Sequence, residues 1–432
     1  MTFMKKISHI IVIFSSLLVG GCSGSDQKAK AAPEGKVIRL WVAPDESQEA
    51  FWKVVVARWN ESGLGMPVAF ETIPAVESSE KAILTALVAG NAPDISTNIF
   101  SGFATQLVAL GQLQDLSVMA GYPELIAHRR MEKIIQGWDQ GGKKYVFPLY
   151  SNPTLIWWRM DILQKLGIDD VPRTYDDVYK LSEKYAALDQ KYGMQLITGK
   201  NWYDRWYDFI SLYYAASGGA PYITDGKASY DNAAGLSVLT FMETIFKREW
   251  TALDFESDDP LTTGLVVGGV RGPWSIPFFE RLYPQTLEKI VVGPMIVLRE
   301  GQGKTFTFAD SKGLVLFKNS KVKEEAFAFL SWVLSQDEYS LLWLEKTSLP
   351  PARGDLMENA IFRAFYDTHP LARQYAAYVD VALPSAFIEN TIDVQKTMGY
   401  EMVEPVKFGT KAPKDALADA VRRTNKLLDT VN

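Results

Sequence analysis

A run of aromatic and polar residues at 199–209, GKNWYDRWYDF, has the composition of a surface that binds a hydroxyl-rich small molecule. The flat rings of Trp202, Tyr203 and Trp206 can cover the C–H faces of a sugar, and the charged side chains between them can hydrogen-bond its hydroxyls. The run directly follows MQLIT, a predicted strand, so its first turn is expected at a sheet edge where ligands gather. The alternative is that Trp206 and its apolar neighbours pack inside the domain. The pattern favours at least one ring facing a ligand.

Polar side chains also follow other predicted strands. In a parallel α/β sheet, the carboxyl ends of the strands and the N-termini of the next helices form the usual ligand site. Solvated polar residues are also common in loops, so position alone makes these residues candidates. The candidate ligand-binding residues are Asp45 and Glu46 after the first strand, Asn98, Phe100 and Ser101 after the third, and Asp310 after the strand at 305–308.

Trp274 is a further candidate ring. It lies in RGPWSIPFF, where glycine and proline constrain the loop. A large indole exposed in such a loop is unusual without a binding role.

Spacing and charge argue against several other kinds of chemistry. Beyond the N-terminal apolar stretch, the histidines are His128 and His369. They are far apart, so this region contains no His-x-x-x-His zinc motif. GQGKT ends like a phosphate-binding loop, but Leu298 stands where the first glycine of that motif belongs. The net charge of −6 makes nucleic acid a poor partner. We therefore expect no metal, no cofactor and no nucleic-acid partner.

Cys22 is the single cysteine of the 432 residues. It follows two lysines, an apolar stretch at 7–19 and two glycines, an order typical of a secretory signal. The ending VGGC resembles the lipobox of bacterial lipoproteins, in which the signal is removed before the cysteine and the thiol carries a diacylglyceryl group. We therefore expect residues 1–21 to be a signal peptide, and residues 22–35 to be the lipidated cysteine and a flexible linker that hold the protein at a membrane.

Alternating strand and helix patterns indicate an α/β fold. KVIRLWV, MPVAFETI and APDISTNI have the β-branched and apolar character of strands, and the residues between them place apolar side chains at helical spacing. Strand–helix–strand order is the signature of a parallel sheet with right-handed crossovers. A chain of 432 residues is longer than one hydrophobic core usually serves, so two lobes are expected.

Blocks along the chain resemble, in the same order, the extracellular solute-binding proteins of ABC importers, the group that includes maltose-binding protein. ALVAGNAPDI is similar to the family's helix, Gly-x-x-Pro-Asp and strand sequence, and LGQLQDLS to its Gly-x-Leu-x-x-Leu turn. Residues 141–184 resemble its central block, a Gly-Lys-x-Tyr-x-x-Pro crossing strand followed by a helix and Pro-x-Thr-Tyr-Asp-Asp. GVRGPW, the segment from SKGLVLFK to WVLS, and SLPPARG match later blocks.

This resemblance implies a type II-like periplasmic-binding-protein fold. Each of the two lobes would be a doubly wound sheet flanked by helices, with the ligand cleft between them. The first lobe is expected at 36–150 plus 305–348, and the second at 151–304 plus 349–432. Ligand capture would then close the lobes about a hinge.

The resemblance also assigns four residues, of which Asp45, Glu46 and Asn152 align with polar ligand contacts in relatives. Trp274 is similar to the family's Gly-x-Trp turn, whose indole often stacks on the ligand. Asn152 occupies a crossing position where maltodextrin-binding relatives carry a carboxylate, and it is therefore a further candidate ligand-binding residue.

By resemblance, the expected function is that of a monomeric, membrane-anchored lipoprotein facing the periplasm or the cell exterior. It would capture a carbohydrate, in particular an oligosaccharide, without changing any bond in it, and deliver it to the transmembrane subunits of an ABC permease. Two alternatives remain open. One is a binder of a non-sugar solute such as a glycerol phosphodiester, which requires clustered Arg or Lys side chains. The other is a surface glycoside hydrolase, which requires two carboxylates about 5 to 9.5 Å apart.

Overall fold

The structure, a computed structural model, describes residues 37–74, 78–188, 192–197, 202–255 and 259–429. The predicted signal peptide, the anchor at Cys22 and the linker lie outside the described residues. Those predictions therefore remain predictions.

Short strands form the sheets of the described chain. They are β1 (Ile38–Val42), β2 (Val68–Thr72), β3 (Ile95–Ile99), β4 (Phe147–Tyr150), β5 (Leu155–Arg159), β6 (Tyr192–Gln195), β7 (Ile223–Thr224), β8 (Lys227–Ala228), β9 (Val266–Arg271), β10 (Ile290–Gly293), β11 (Thr307–Phe308), β12 (Lys312–Leu316) and β13 (Ala382–Leu383).

Helices cover these sheets. They are α1 (Glu46–Ser62), α2 (Ser79–Val88), α3 (Ser101–Ala109), α4 (Tyr122–His128), α5 (Glu132–Gln136), α6 (Met160–Lys165), α7 (Tyr175–Ala186), α8 (Trp202–Ala216), α9 (Ala233–Lys247), α10 (Pro260–Thr263), α11 (Ser275–Leu282), α12 (Pro284–Leu287), α13 (Lys323–Leu334), α14 (Asp337–Thr347), α15 (Ala360–Thr368), α16 (Pro370–Ala376), α17 (Thr391–Met398), α18 (Glu404–Lys407) and α19 (Pro413–Asp429). None of the helices in the described ranges is both long enough and apolar enough to cross a bilayer.

The first sheet has the strand order β2-β1-β3-β12-β4. Leu40 of β1 pairs in parallel with Phe70 of β2 and Ile95 of β3, which confirms the parallel pairing predicted from the strand–helix order. β12 arrives from far along the chain and runs antiparallel to both β3 and β4. Its insertion between them brings the segment before Lys312 to the edge where β4 ends.

The second sheet has the strand order β10-β5-β9-β6 and lies in the other lobe. β5 is antiparallel to both β9 and β10, whereas β6 is parallel to β9. β5 is buried on both faces because side chains alternate along a strand: Ile156 and Trp158 enter one core cluster, and Leu155 and Trp157 enter another. This double burial explains why LIWWR is a continuous apolar run up to Arg159.

Two chain segments connect the sheets side by side. One runs from β4 to β5 and the other from β11 to β12. Pro153 and Ala309 form an antiparallel bridge between them. The Thr154 N–H donates to the Phe308 carbonyl at 2.9 Å, and the Asp310 N–H donates to the Asn152 carbonyl at 3.1 Å. These two segments therefore form a short two-stranded part of the hinge, beside which the chain after α14 also runs, and each lobe keeps a separate core around its own sheet.

Candidate functional site

The sheet edges on both sides of the hinge face the same space. Lys312 at the start of β12 pairs with Tyr150 at the end of β4, so the carboxyl ends of β1, β3 and β4 share this edge with the start of β12. In the second sheet, Leu155 at the start of β5 pairs with Arg271 at the end of β9. We call the space between these two edges the interlobe groove.

Asp45 and Asp310 mark the first-lobe wall of the groove. Asp45 is exposed and caps α1, its carboxylate accepting the Gln48 N–H at 3.0 Å. Asp310 is half-buried in the hinge. Burial raises the pKa of the Tyr150 hydroxyl well above its ordinary value, and the charges of Asp310 and Asp45 raise it further. Asp45 follows the end of β1, and Asp310 precedes Lys312, which pairs with Tyr150 at the end of β4, so all three groups lie at the same edge.

Asn152 is buried in the hinge, with 3% of its surface exposed. Its carbonyl accepts the Asp310 N–H, but its side-chain Oδ1 has no hydrogen-bond partner among the described residues. A buried oxygen left unpaired costs about 1–3 kcal/mol. A hydroxyl donor placed against Asn152 would offset that cost.

Trp274 stands on the opposite wall, just after β9, and keeps 41% of its surface exposed. Its ring meets the ring of Tyr207 edge-on, with 6.4 Å between centroids. The indole folds back over Gly272, where an added Cβ would lie 2.0 Å from the ring. Glycine at this position is therefore required for the loop to hold the indole as it does.

Tyr207 connects the two walls. Burial raises the pKa of its hydroxyl well above the ordinary value, and the charge of Asp310 contributes further in the same direction. Its Oη has no hydrogen-bond partner among the described residues. The groove therefore contains a second unpaired buried oxygen, beside the exposed indole of Trp274.

Arg271 holds the end of β9 rigidly beneath this wall. Its guanidinium donates to both carboxylate oxygens of Asp259 at 2.9 and 3.1 Å and to Gln195 Oε1 at 2.8 Å. Its carbonyl accepts the Tyr375 hydroxyl at 2.9 Å, and that hydroxyl accepts the Trp157 Nε1–H at 2.7 Å. Because these partners occupy the guanidinium, Arg271 positions the Trp274 loop rather than presenting a free cation.

Asp208 is fully buried one residue after Tyr207. Its Oδ2 accepts the Ile197 N–H at 2.6 Å, whereas Oδ1 has no partner within the described chain. Burial raises the pKa of this carboxyl to about 7, against the lowering effects of the Ile197 hydrogen bond and the Arg271 charge. Asp208 is therefore a protonatable group directly behind the groove wall.

Asn98 is the fourth residue of β3, and Phe100 and Ser101 follow the strand. Asn98 has a left-handed backbone, with φ of 65°, and its amide donates to the Ser79 hydroxyl at 3.0 Å. Phe100 is half-buried, and Ser101 is buried in the first turn of α3. Phe100 borders a pocket of about 400 Å³ that the segment 389–393 of the other lobe closes from the opposite side.

The aromatic run on α8 has mixed placements. The sequence pattern predicts an aromatic helix from Trp202 to Ala216, and the observed helix has these bounds, but the side chains of Trp202 and Tyr203 lie outside the described atoms. Trp206 is 3% exposed and packs edge-on against Phe308 in the second-lobe core, with centroids 5.1 Å apart.

Glu46 is exposed in the first turn of α1.

The structure thus groups some candidates and separates others. It brings together Asp45, Asn152, Trp274 and Asp310, and adds two residues that sequence reasoning missed, Tyr150 and Tyr207. Tyr207 belongs to the aromatic run at 199–209, but its side chain is rotated by about 100° from that of Trp206 around the helix axis. That rotation was the available signal: both rings touch Phe308, but only Tyr207 extends beyond the core to Trp274.

Other cavities lie outside the groove. One of about 530 Å³ is bordered by Arg173 and Lys304, and another of about 880 Å³ by Tyr192 and Phe408. Tyr192 begins β6, so the larger cavity lies at the sheet edge opposite to the groove. Among the described residues, no group of three or more His, Cys, Asp or Glu side chains is arranged to hold a metal ion.

Comparison with known proteins agrees with this architecture. The family of bacterial extracellular solute-binding proteins matches residues 43–339. An arabinooligosaccharide-binding protein of Bacillus subtilis is 20% identical over 372 residues, which is 82% of each chain.

Solved structures extend the similarity to the fold. An uncharacterized protein of Listeria monocytogenes superposes with a TM-score of 0.86 at 30% identity, covering 91% of this chain and 100% of that one. A cyclic α-maltosyl-1,6-maltose binding protein of Arthrobacter globiformis gives a TM-score of 0.79 at 17% identity, covering 91% and 99%. With a family match across more than half of its length, two sheet-centred lobes and a groove at their hinge, this chain belongs to the bacterial extracellular solute-binding proteins.

Proposed function

We propose that the protein captures a neutral carbohydrate, in particular an oligosaccharide, in the interlobe groove and delivers it to the membrane permease of an ABC importer. The observation that carries this proposal is the exposed indole of Trp274 held beside Tyr207, opposite Asp45, Asn152 and Asp310. An aromatic plate with acceptors around it matches the C–H faces and hydroxyl rim of a sugar.

The charge of the groove favours a neutral guest over an anionic one. Asp45 and Asp310 both act on Tyr150, whereas the guanidinium of Arg271 is occupied by Asp259 and Gln195. A phosphodiester would meet carboxylates without a free bidentate cation from Arg271. This arrangement supports a sugar over the glycerol phosphodiester alternative.

The names of similar proteins support the same ligand class. The Bacillus relative is described as binding arabinooligosaccharides, and the Arthrobacter protein as binding a cyclic maltooligosaccharide. Their low identity to this chain supports the class of ligand and not a particular sugar.

Lobe closure provides a physical route to delivery. A ligand that binds the closed form more tightly than the open form shifts the protein towards closure. A permease that recognises the closed form then distinguishes loaded from empty protein. No bond in the ligand changes during this cycle.

A thermal-shift screen with a panel of oligosaccharides tests the proposal. A sugar present at about 100 times its Kd stabilises the native state by about 2.7 kcal/mol, so the Tm should rise by about 5 °C. Trp274→Ala should leave the unliganded melt nearly unchanged and weaken binding at least about tenfold, because it removes the stacking plate.

Phe408→Ala is the matched control. Phe408 is an exposed aromatic, 55% accessible, beside the cavity at the far edge of the second lobe. Its loss should leave sugar binding intact. If no sugar raised the Tm, or if Trp274→Ala bound as tightly as the native chain, the assignment would be wrong, and released shorter sugars would indicate hydrolysis instead.

We further propose that residues 1–21 are removed and that Cys22 carries a lipid that keeps the monomer at the cell envelope. The support is the order of lysines, apolar stretch and VGGC in the sequence. In cells fed labelled palmitate, the native chain should incorporate label and sediment with membranes, whereas Cys22→Ser should do neither. Equal labelling of both chains would contradict the anchor.

A further inference from the structure

Helices α3 and α17, which belong to opposite lobes, touch beyond the hinge. Phe103 and Leu107 of α3 belong to the first-lobe core, and Val394 and Met398 of α17 belong to the second-lobe core. The first turns of these two helices meet beside the 400 Å³ pocket that Phe100 borders. The contact therefore spans the groove rather than lying within one lobe.

Gly102 makes this approach possible. A Cβ added at Gly102 would lie 2.5 Å from Thr391 Cβ and 2.7 Å from Thr391 Oγ1. It would also lie 2.9 Å from the Phe100 ring, but that ring is half-buried and can shift. Gly102 lies in a regular helix turn without a positive φ, so backbone conformation does not require glycine there. What glycine provides at this position is space for the other lobe.

Thr391 cannot move aside easily. Its hydroxyl donates to the Ile388 carbonyl at 2.6 Å and to the Ala386 carbonyl at 3.1 Å, and the residue is 1% exposed. These bonds fix the side chain at the start of α17. A larger residue at position 102 would therefore have to push the lobes apart.

The segment that leads into α17 makes a second contact with the first lobe. Phe387 packs edge-on against Trp138 of the first-lobe core, with ring centroids 5.4 Å apart. The segment 386–391 thus rests on the first lobe through one aromatic pair and one glycine–threonine contact.

We propose that Gly102 and Thr391 form a closing contact that sets how far the groove shuts, so that position 102 determines ligand affinity without touching the ligand. This inference rests on the proposed function, because closure has a purpose only if a solute is captured. A Cβ at position 102 penalises the closed form through the fixed Thr391, whereas the half-buried Phe100 ring is the close neighbour that it keeps in the open form. The apparent affinity falls in proportion to the lost closed population.

Gly102→Ala and Gly301→Ala form the first test. Gly301 has nothing within 4 Å of an added Cβ and no positive φ, so its substitution is a matched control. For the sugar that raises the Tm of the native chain, Gly102→Ala should increase Kd at least about tenfold, while the unliganded Tm stays within about 2 °C. Unchanged affinity, or a large loss of unliganded stability, would show instead a permanent packing contact.

An engineered disulfide gives a readout that needs no sugar. Cβ atoms joined by a disulfide lie about 3.8 Å apart, whereas a Cβ at position 102 would lie 2.5 Å from Thr391 Cβ. Gly102→Cys with Thr391→Cys should therefore cross-link once α3 and α17 move apart by about 1 Å. The full chain would also carry Cys22→Ser, which leaves the engineered thiols as the only pair. Oxidation should give a compact form with a smaller radius of gyration by X-ray scattering, and reduction should restore the larger value.

The two tests separate this inference from the proposed function. If the native chain bound no sugar, the proposed function would fail. The scattering comparison would still show whether the contact between Gly102 and Thr391 forms only when the lobes close. Absence of cross-linking, or an unchanged radius of gyration after cross-linking, would overturn it. In a sugar-binding protein, the oxidised form should neither admit nor release sugar until it is reduced.

Discussion

Asp208 shows how a single residue behind the groove can acquire an unusual protonation state. It is fully buried with one carboxylate oxygen unpaired within the described chain, and burial raises its pKa to about 7. The charges that act on it are Arg271 from β9, which lowers the pKa, and Asp204 one turn earlier on α8, which raises it. Desolvation dominates because the Arg271 charge is shared with Asp259.

This raised pKa predicts a pH dependence of stability. The folded protein holds the proton up to about pH 7, whereas the unfolded chain releases it near pH 4, so the folded state binds more protons between these values. The contribution of Asp208 to the free energy of unfolding is thus fully present below about pH 4 and is lost as the pH rises towards 7. Its slope is at most about 1.4 kcal/mol per pH unit.

Asp208→Asn should remove this part of the slope in urea unfolding measured from pH 4.5 to 8. The variant should therefore gain stability relative to the native chain as the pH rises. Asp225→Asn is the control, because Asp225 is exposed in a turn with φ of 50°, which asparagine also tolerates. Parallel pH profiles for the native chain and Asp208→Asn would contradict the assignment.

At the scale of single elements, local sequence signals were sufficient in several places. Before the apolar residues of α2, the sequence offers Ser78 and Ser79 as caps, and Ser78 is the observed cap, accepting the Lys81 N–H at 3.2 Å. The sequence pattern predicts a helix from Tyr175 to Leu188, and the observed helix ends at Ala186, two residues earlier. Helix ends are decided by a few weak terminal bonds, so such small shifts are usual.

The start of α7 offers a test of this local control. Thr174 Oγ1 accepts the Asp177 N–H at 3.2 Å, and the Asp177 carboxylate accepts the Thr174 N–H at 3.0 Å, a reciprocal capping box. Thr174→Ala should lower the free energy of unfolding by about 1 kcal/mol, measured by urea unfolding. Thr174→Ser keeps the hydroxyl and should retain most of the stability. Equal losses in both variants would assign the effect to the lost methyl group.

At the scale of the whole molecule, chain order and spatial order diverge. β12 inserts between β3 and β4, although it follows them by more than 150 residues in the chain. The lobe boundaries expected at 150/151, 304/305 and 348/349 stay a prediction, although the observed hinge runs through 150–155 and 308–312. A boundary between lobes is a property of contacts, which a linear pattern does not display.

The candidate site divides along the same line. Asp45, Asn98, Phe100, Ser101 and Asp310 were identified because strand ends can be read from the sequence. The sequence does not show which of these residues lie close together, since that depends on the order of the strands across the sheet. Tyr150 gave no local signal, because its role arises from carboxylates 105 and 160 positions away.

The sequence by itself determined the first three strands and the helices between them, the parallel start of the first sheet and the aromatic and polar residue types that suit a sugar. These properties follow from side-chain periodicity and capping, which act within a few residues. Only the tertiary structure decided that Trp206 packs in the core while Tyr207 lies beside Trp274, and that Gly102 meets Thr391 across the groove. The reason is that burial and steric contact depend on which distant segments pack together, and packing brings together residues that sequence spacing keeps hundreds of positions apart.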